Sequence, residues 1–167
     1  MTVVVAYTSK EDCWMASDSA SSNSSSTDEV ITPKIFKHAG GGIIGSAGSW
    51  FVLNALASLQ KKKCEVQDVL DLIRTIKEGV FAEELEPAQI LMAWPGRPLV
   101  VVYWSGFYVE MKSPFYAIGI DQYALGFLEG ENYIDGVTLK KAVSISAKYA
   151  TGVGLPAKLL HVKKGLE

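Results

Sequence analysis

The sequence predicts an α+β fold in which two antiparallel β-sheets face each other between helix pairs, a four-layer αββα sandwich. The first observation is the order of patterns along the chain: four strands, two helices, four strands, two helices and a final strand. Runs of strands separated by helix pairs favour stacked sheets with helices on their outer faces. The second observation is the length, because 167 residues suit one domain that buries roughly two-thirds of its unfolded surface. We therefore expect a single domain over residues 1–167.

The N-terminal segment predicts a hairpin. Residues 3–7 are apolar and largely β-branched without alternation, which is typical of a strand buried on both faces. A short polar turn leads into a second strand over residues 13–17, which ends at Asp18. Because the end of one hairpin strand lies opposite the beginning of the other, we expect Asp18 close to Thr2.

Small polar residues over positions 19–28 predict a surface loop, and a broken strand pair follows on either side of Pro33. Lys34 lies between Pro33 and an apolar pair, so its charge is either directed inward or solvated at a strand edge. Residues 40–49 predict a tight turn, a buried strand and small residues that open onto a helix over 50–59. Small residues just before a helix let backbone N–H groups approach a ligand, so we expect that the Gly48 N–H can be directed at a developing oxyanion. A phosphate-binding loop is disfavoured because the Gly-Lys-Ser/Thr ending is absent.

The rest of the chain continues the alternation of helices and strands. Apolar residues at three- and four-residue spacings predict a helix over 66–81. Four strands separated by Pro and Gly turns then predict an antiparallel meander over 89–94, 98–104, 107–112 and 116–120. Two helices and a closing strand are predicted over 122–128, 139–149 and 157–162.

Composition restricts the class of protein. Hydrophobic residues make up 49% and charged residues 20%, with a net charge of −2, so neither disorder nor a nucleic-acid partner is indicated. No apolar run approaches the ~18 residues of a membrane span, and no secretion signal is visible, so we expect a cytoplasmic protein without a membrane partner. The two cysteines lack metal-binding spacing and the two histidines stand alone, so no metal or cofactor is expected.

Thr2 is the candidate nucleophile. A threonine after Met1 is small enough for methionine removal, which leaves a hydroxyl and a free α-amine on one residue. An α-amine titrates near ~7.7–8.0, so it can serve as the general base without a histidine. The Thr and N-terminal amine pair is a known form of activated nucleophile. Taken alone, Thr2 is better explained as a residue that only opens a strand, because many cytosolic proteins begin Met-Thr, and the motifs further along the chain are what favour a nucleophile.

Several motifs in register resemble the N-terminal nucleophile (Ntn) hydrolases, in particular the proteasome β-type peptidases and the HslV peptidase. The motifs are Thr2, Ala16-Ser17-Asp18, Lys34-Ile35, Gly45-Ser46-Ala47-Gly48-Ser49, Tyr116-Ala117-Ile118-Gly119, Tyr123-Ala124-Leu125-Gly126 and the segment 142–154 with its Thr-Gly-x-Gly exit. The resemblance covers nearly the whole chain and implies the Ntn hydrolase fold. It also implies a threonine-type endopeptidase in which Thr2 attacks the peptide, Lys34 lowers the pKa of the hydroxyl, Asp18 neutralises Lys34, and Gly48 stabilises the oxyanion.

The same resemblance implies partners and a substrate pocket. The partners are other copies of the chain in a homo-oligomeric ring, a polypeptide substrate and a separate ATP-dependent unfoldase, since the chain contains no ATPase motif. A medium or large apolar substrate side chain would fit. The pocket positions are Ser21, Thr32, Phe36, Ser46, Trp50 and Asn54. For Phe36 and Trp50 a position in the core is the alternative.

Two positions depart from the family pattern. Ile120 stands where the family has a serine near the nucleophile's amine, and Lys148 stands where it commonly has an aspartate. These residues leave open a catalytically impaired ring or scaffold protein with the same fold. A third alternative is an Ntn amidohydrolase of small amides, which predicts an open pocket in a monomer or dimer.

Overall fold

The computed structural model describes residues 1–19, 33–79 and 87–165, with the backbone alone at Trp50. Within these ranges the elements follow the predicted order. The strands are β1 (Val3–Thr8), β2 (Asp12–Ser17), β3 (Ile35–His38), β4 (Gly42–Ala47), β5 (Gln89–Ala93), β6 (Val100–Tyr103), β7 (Tyr108–Glu110), β8 (Phe115–Gly119) and β9 (Lys158–Lys163). The helices are α1 (Trp50–Ala57), α2 (Val66–Lys77), α3 (Gln122–Glu129) and α4 (Gly136–Tyr149).

The strands form two antiparallel sheets, with orders β8-β1-β2-β9 and β3-β4-β5-β6-β7. The hairpin register pairs Val4 with Ser17, so Asp18 follows opposite Val3 as the sequence predicts. The predicted four-strand meander is wrong in its last member, since β8 leaves β7 and pairs with β1 in the other sheet. Local turn residues do not encode this crossing. It is set by tertiary packing, in which Ala117 and Ile118 fill the cores on either side of the first sheet.

In the described part of the chain three apolar clusters separate four layers, which confirms the αββα sandwich. The first cluster lies between the second sheet and the helices α1 and α2, and includes Ile44, Val52, Leu56, Ile73 and Met92. The second lies between the two sheets, and includes Val4, Met15, Ile43, Leu91 and Val101. The third lies between the first sheet and the helices α3 and α4, and includes Val3, Val5, Ala124, Leu139 and Val143. The strand β1 is buried on both faces because its alternate residues enter different clusters.

Local signals account for where two helices begin. The capping box of α2 joins Glu65 and Asp68, each accepting a hydrogen bond from the other's backbone N–H. The helix α4 begins at Gly136, three residues before the predicted start, because the Asp135 carboxylate accepts a 2.9 Å hydrogen bond from the Thr138 N–H. That cap also lowers the pKa of Asp135, since hydrogen bonds from Thr138 stabilise the ionised carboxylate.

No helix in the described ranges is both long and apolar enough to cross a bilayer.

Candidate active site

Thr2 lies at the start of β1, where pairing with β8 fixes its backbone. Its carbonyl oxygen accepts a 2.9 Å hydrogen bond from the Ile120 N–H. Gly119 has a φ of +82°, and a Cβ at that position would collide with the Thr2 carbonyl, so the close approach requires glycine. The Thr2 side chain is half-buried, while Met1 before it is 52% exposed. The candidate nucleophile is therefore presented from a rigid strand end.

Asp18 is the buried polar centre next to Thr2. Asp18 is only 1% exposed, and its Oδ1 accepts a 3.1 Å hydrogen bond from the Val3 N–H. Its Oδ2 accepts hydrogen bonds from the Lys34 Nζ at 2.8 Å and from the Gly154 N–H at 3.2 Å. The carboxylate therefore joins the start of β1, the entry to β3 and the loop before β9 at a single point.

Lys34 is directed inward, the first of the two alternatives that its sequence position allows. It is 6% exposed, and among the described residues it forms an ion pair with Asp18. Burial lowers the pKa of the Lys34 ammonium from its ordinary 10.5, while the hydrogen bond and charge of Asp18 act in the opposite direction. A buried ammonium without such a partner would be costly, so Asp18 allows Lys34 to occupy this position.

Gly48 forms the turn between β4 and α1 and requires glycine for two reasons. Its φ is +118°, and a Cβ there would lie 2.5 Å from the Pro87 carbonyl oxygen and 2.9 Å from the Ala88 Cα. The preceding residue, Ala47, lies against Gly119, with its Cβ 3.2 Å from where a Gly119 Cβ would be. The Gly48 turn and the backbone that fixes Thr2 are therefore in direct contact across the two sheets.

The predicted pocket positions are only partly described. Ser46 is 4% exposed on β4, and its Oγ has no hydrogen-bond partner in the described part of the chain. Phe36 is 3% exposed and lies in the cluster beneath α1 with Ile44 and Val52, which is the core alternative for this residue. Asn54 is exposed on α1. Ser21, Thr32 and the Trp50 side chain lie outside the described residues.

The two positions that depart from the family pattern have other contacts. Ile120 contributes its backbone N–H to Thr2 and adds no side-chain hydroxyl. The exposed Lys148 places its Nζ 5.3 Å from the centroid of the Tyr149 ring, and that ring in turn stacks on Tyr123 at 5.7 Å. Lys148 therefore supplies a surface cation–π contact at the position where the resemblance implies an aspartate.

Sequence reasoning missed two residues that contact this site. Gly154 donates its N–H to Asp18, and the Thr-Gly-x-Gly exit that contains it was the available signal. Gln89 accepts a 3.2 Å hydrogen bond from the Gly119 N–H through its side-chain Oε1. No local pattern marks Gln89, because its contact partner is 30 residues away in the other sheet.

Other titratable groups lie away from this centre. His38, predicted from the sequence to be a surface or strand-edge residue, lies at the end of the edge strand β3 but is only 5% exposed, and burial lowers the pKa of its imidazole from the ordinary 6.5. Burial raises the pKa of the Cys13 thiol to about 12 and that of the Cys64 thiol to about 11, so both are protonated at neutral pH. Among the described residues no group of three or more His, Cys, Asp or Glu side chains is arranged to bind a metal.

No protein-family model and no curated protein matches the sequence. Solved structures do match. The BPH protein of Thiobacillus denitrificans in complex with epoxomicin is 21% identical with a TM-score of 0.75, over 98% of each chain. HslV from Trypanosoma brucei is 11% identical with a TM-score of 0.70, over 96% of this chain and 99% of its own. Anbu, an ancestral β-subunit, from Yersinia bercovieri is 17% identical with a TM-score of 0.68, over 96% of this chain and 80% of its own.

At these identities the likeness establishes the fold, and it extends over almost the whole chain. It agrees with the sheet orders and helix layers described above, and it confirms the fold that the resemblance noted in the sequence implies. The chain therefore has the proteasome-type Ntn hydrolase fold found in BPH, HslV and Anbu.

Proposed function

We propose that this chain is a threonine-type endopeptidase subunit in which Thr2 is the nucleophile once Met1 is removed. The observation that carries the proposal is the buried Asp18–Lys34 ion pair, hydrogen-bonded to the backbone N–H of Val3, the residue after Thr2. A buried charge pair costs desolvation, so its position beside a candidate nucleophile favours a role in the chemistry.

In the proposed reaction the Thr2 Oγ attacks the carbonyl carbon of a peptide bond, and the Thr2 α-amine accepts the hydroxyl proton. The positive charge of Lys34 favours the developing alkoxide by lowering the pKa of the hydroxyl. The Gly48 N–H donates to the oxyanion of the tetrahedral intermediate. Transfer of the proton from the α-amine to the departing amine breaks the peptide bond and leaves an ester on Thr2. Water then hydrolyses the ester and regenerates the free hydroxyl.

The geometry of the described residues supports particular roles for the two glycines and for Asp18. Gly119 permits the Ile120 N–H to reach the Thr2 carbonyl, which fixes the backbone of the nucleophile. Gly48 adopts a φ of +118° that other residues rarely occupy, and a Cβ there would lie 2.5 Å from the Pro87 carbonyl oxygen, so this turn requires glycine. Asp18 binds the Lys34 ammonium at 2.8 Å and is itself held by hydrogen bonds from the N–H groups of Val3, the residue after Thr2, and Gly154. Rigid placement of this kind is the main contribution a protein makes to acyl transfer.

The substrate in this proposal is a polypeptide chain cleaved after a medium or large apolar residue. Ser46 would form the floor of the pocket, and its small size leaves depth. The enzyme would act in the cytoplasm as a homo-oligomeric ring, with an ATP-dependent unfoldase as a separate partner. The likeness to HslV and Anbu supports the ring.

The test is the intact mass of the purified protein before and after treatment with a peptide epoxyketone such as epoxomicin, the compound present in the BPH complex. This class of reagent requires both the hydroxyl and the free amine of an N-terminal threonine. We expect loss of Met1 and one adduct per chain, and no adduct in Thr2→Ala. Lys34→Met should lower the rate of adduct formation without changing the removal of Met1. A trimmed chain that forms no adduct would refute the peptidase.

A scaffold function is the second candidate, and it is favoured by one specific observation. Lys148 stands at the family's aspartate position and lies over the Tyr149 ring, so it provides no carboxylate for proton transfer to the amine. A ring-forming protein without adduct formation would support this candidate. Hydrolysis of small amides by a monomer or dimer would instead indicate an amidohydrolase, so the mass of the assembly in solution separates the third reading from the first two.

A further inference from the structure

Gln89 occupies an unusual position for a polar residue. It is the first residue of β5, on the face shared by Leu91 and Ala93, which are fully buried between the two sheets. Alternation along the strand therefore directs the Gln89 side chain toward the first sheet. It is half-buried at the rim of the cluster, and its Oε1 accepts the 3.2 Å hydrogen bond from the Gly119 N–H.

Among the described strands, the Gly119 N–H has no backbone partner. In the antiparallel ladder between β1 and β8, the Thr8 N–H donates to the Pro114 carbonyl and the Ile120 N–H donates to the Thr2 carbonyl. The even-numbered residues from 114 to 120 therefore direct their backbone hydrogen-bonding groups toward β1. Gly119 lies between two such positions, so its N–H points away from β1. Since β8 is the edge strand of its sheet, this N–H depends on a side chain, and Gln89 supplies the acceptor.

The residues just before Gln89 contact the other half of the candidate site. The Pro87 carbonyl oxygen and the Ala88 Cα lie so close to Gly48 that a Cβ there would be 2.5 and 2.9 Å from them. The backbone of segment 87–89 therefore lies against the Gly48 turn, the proposed oxyanion donor. The Gln89 side chain contacts Gly119, next to Ile120, whose N–H bonds the Thr2 carbonyl.

We propose that Gln89 is a positioning residue that sets the distance between the nucleophile and the oxyanion donor, by bonding Gly119 while its neighbours fix Gly48. Gln89 touches no reacting atom. It acts through Gly119 and Ile120 on the backbone of Thr2. The inference rests on the proposed peptidase function and adds to it a residue that the family motifs quoted above do not include.

The experiment compares Gln89→Leu, which removes the acceptor at similar size, with Gln89→Glu, which retains an acceptor oxygen. Gln60→Leu is the matched control, because Gln60 is exposed in the turn after α1. Two quantities are measured on wild type and on each variant, all with Met1 removed. One is the hydrogen-exchange rate of the Gly119 amide, and the other is kcat and KM for a fluorogenic peptide amide.

In Gln89→Leu we expect Gly119 exchange to be faster by roughly 3- to 10-fold, the range expected for one hydrogen bond. We expect kcat to fall by a similar factor with KM unchanged within about 2-fold, because a misplaced nucleophile affects the transition state more than binding. Gln89→Glu should restore both values, and Gln60→Leu should change neither. A general loss of stability would lower kcat in Gln89→Leu and Gln89→Glu alike, so Gln89→Glu would not restore it.

Unchanged Gly119 exchange in Gln89→Leu would overturn the proposal, as would faster exchange with wild-type kcat. Failure of the peptidase function itself has a different signature. In that case the wild-type protein forms no epoxyketone adduct and shows no turnover, and a role for Gln89 in cleavage is refuted with it.

Discussion

The ion pair between Asp18 and Lys34 makes a quantitative prediction about both stability and reactivity. The two charges are 2.8 Å apart, and their side chains are 0% and 7% exposed, so they are screened very little by solvent. Removing one partner of a buried pair leaves an uncompensated charge and typically costs about 3–5 kcal/mol. Lys34→Met should fall near the lower end, because the Asp18 carboxylate keeps the N–H groups of Val3 and Gly154.

Asp18→Asn should cost a similar amount, because it leaves the Lys34 ammonium without its counter-charge in a site where burial already lowers its pKa. The double variant Asp18→Asn with Lys34→Met contains neither charge, so it should cost much less than the two single changes together. We expect the difference from additivity to be roughly 2–3 kcal/mol, near the upper end for residues in direct contact.

The assay is urea unfolding of the four proteins at pH 7, with the rate of epoxyketone adduct formation measured on the same samples. The matched control is a cycle on Arg74 and Asp71, an exposed pair on α2 at 3.5 Å with side chains 68% and 55% exposed. That cycle should give a coupling below about 0.5 kcal/mol.

The stability argument would be refuted if the Asp18 and Lys34 changes were additive within about 0.5 kcal/mol, the usual error for independent sites. The catalytic argument would be refuted separately if Lys34→Met kept the wild-type rate of adduct formation in a folded protein. Both outcomes can be read from one set of variants.

Three further predictions concern residues outside that pair. Burial lowers the pKa of His38 below 6.5, so near that pH the unfolded chain binds a proton that the folded chain does not. The free energy of unfolding should therefore fall as the pH drops below 6.5. In urea titrations from pH 7.5 to 5, His38→Phe should flatten this slope. An equal slope in the variant would contradict this assignment. In Gly48→Ala the new Cβ sits at a φ of +118° and 2.5 Å from a carbonyl oxygen, whereas in the control Gly41→Ala the φ is +78° and the Cβ has open space around it. Gly41→Ala should cost about 1–2 kcal/mol and Gly48→Ala more than that. Only Gly48→Ala should slow adduct formation. With thiol pKa values of about 12 and 11, Cys13 and Cys64 should resist iodoacetamide at pH 8 in the native protein and react in urea. Mass spectrometry measures the labelling, and labelling of the native chain would exclude the burial of these thiols.

The sequence by itself determined the layers of this protein and part of its candidate site. Hydrophobic patterning predicts the order of strands and helices because burial on one or both faces leaves a periodic signal in the chain. Hairpin pairing places Asp18 beside the start of β1 by local geometry alone, and Val3 does donate its N–H to that carboxylate. The small residues before α1 likewise indicate the Gly48 turn.

Tertiary structure alone decided the rest, because those features depend on contacts between residues distant in the chain. The transfer of β8 into the first sheet, the burial of His38 and the core position of Phe36 depend on which element covers each face, and a local pattern does not specify that element. The contact of Gln89 with Gly119 spans 30 residues and two sheets, so no spacing rule could have revealed it. The choice for Lys34 between solvent and interior was settled the same way, since only the folded chain brings Asp18 within 2.8 Å to neutralise a buried ammonium.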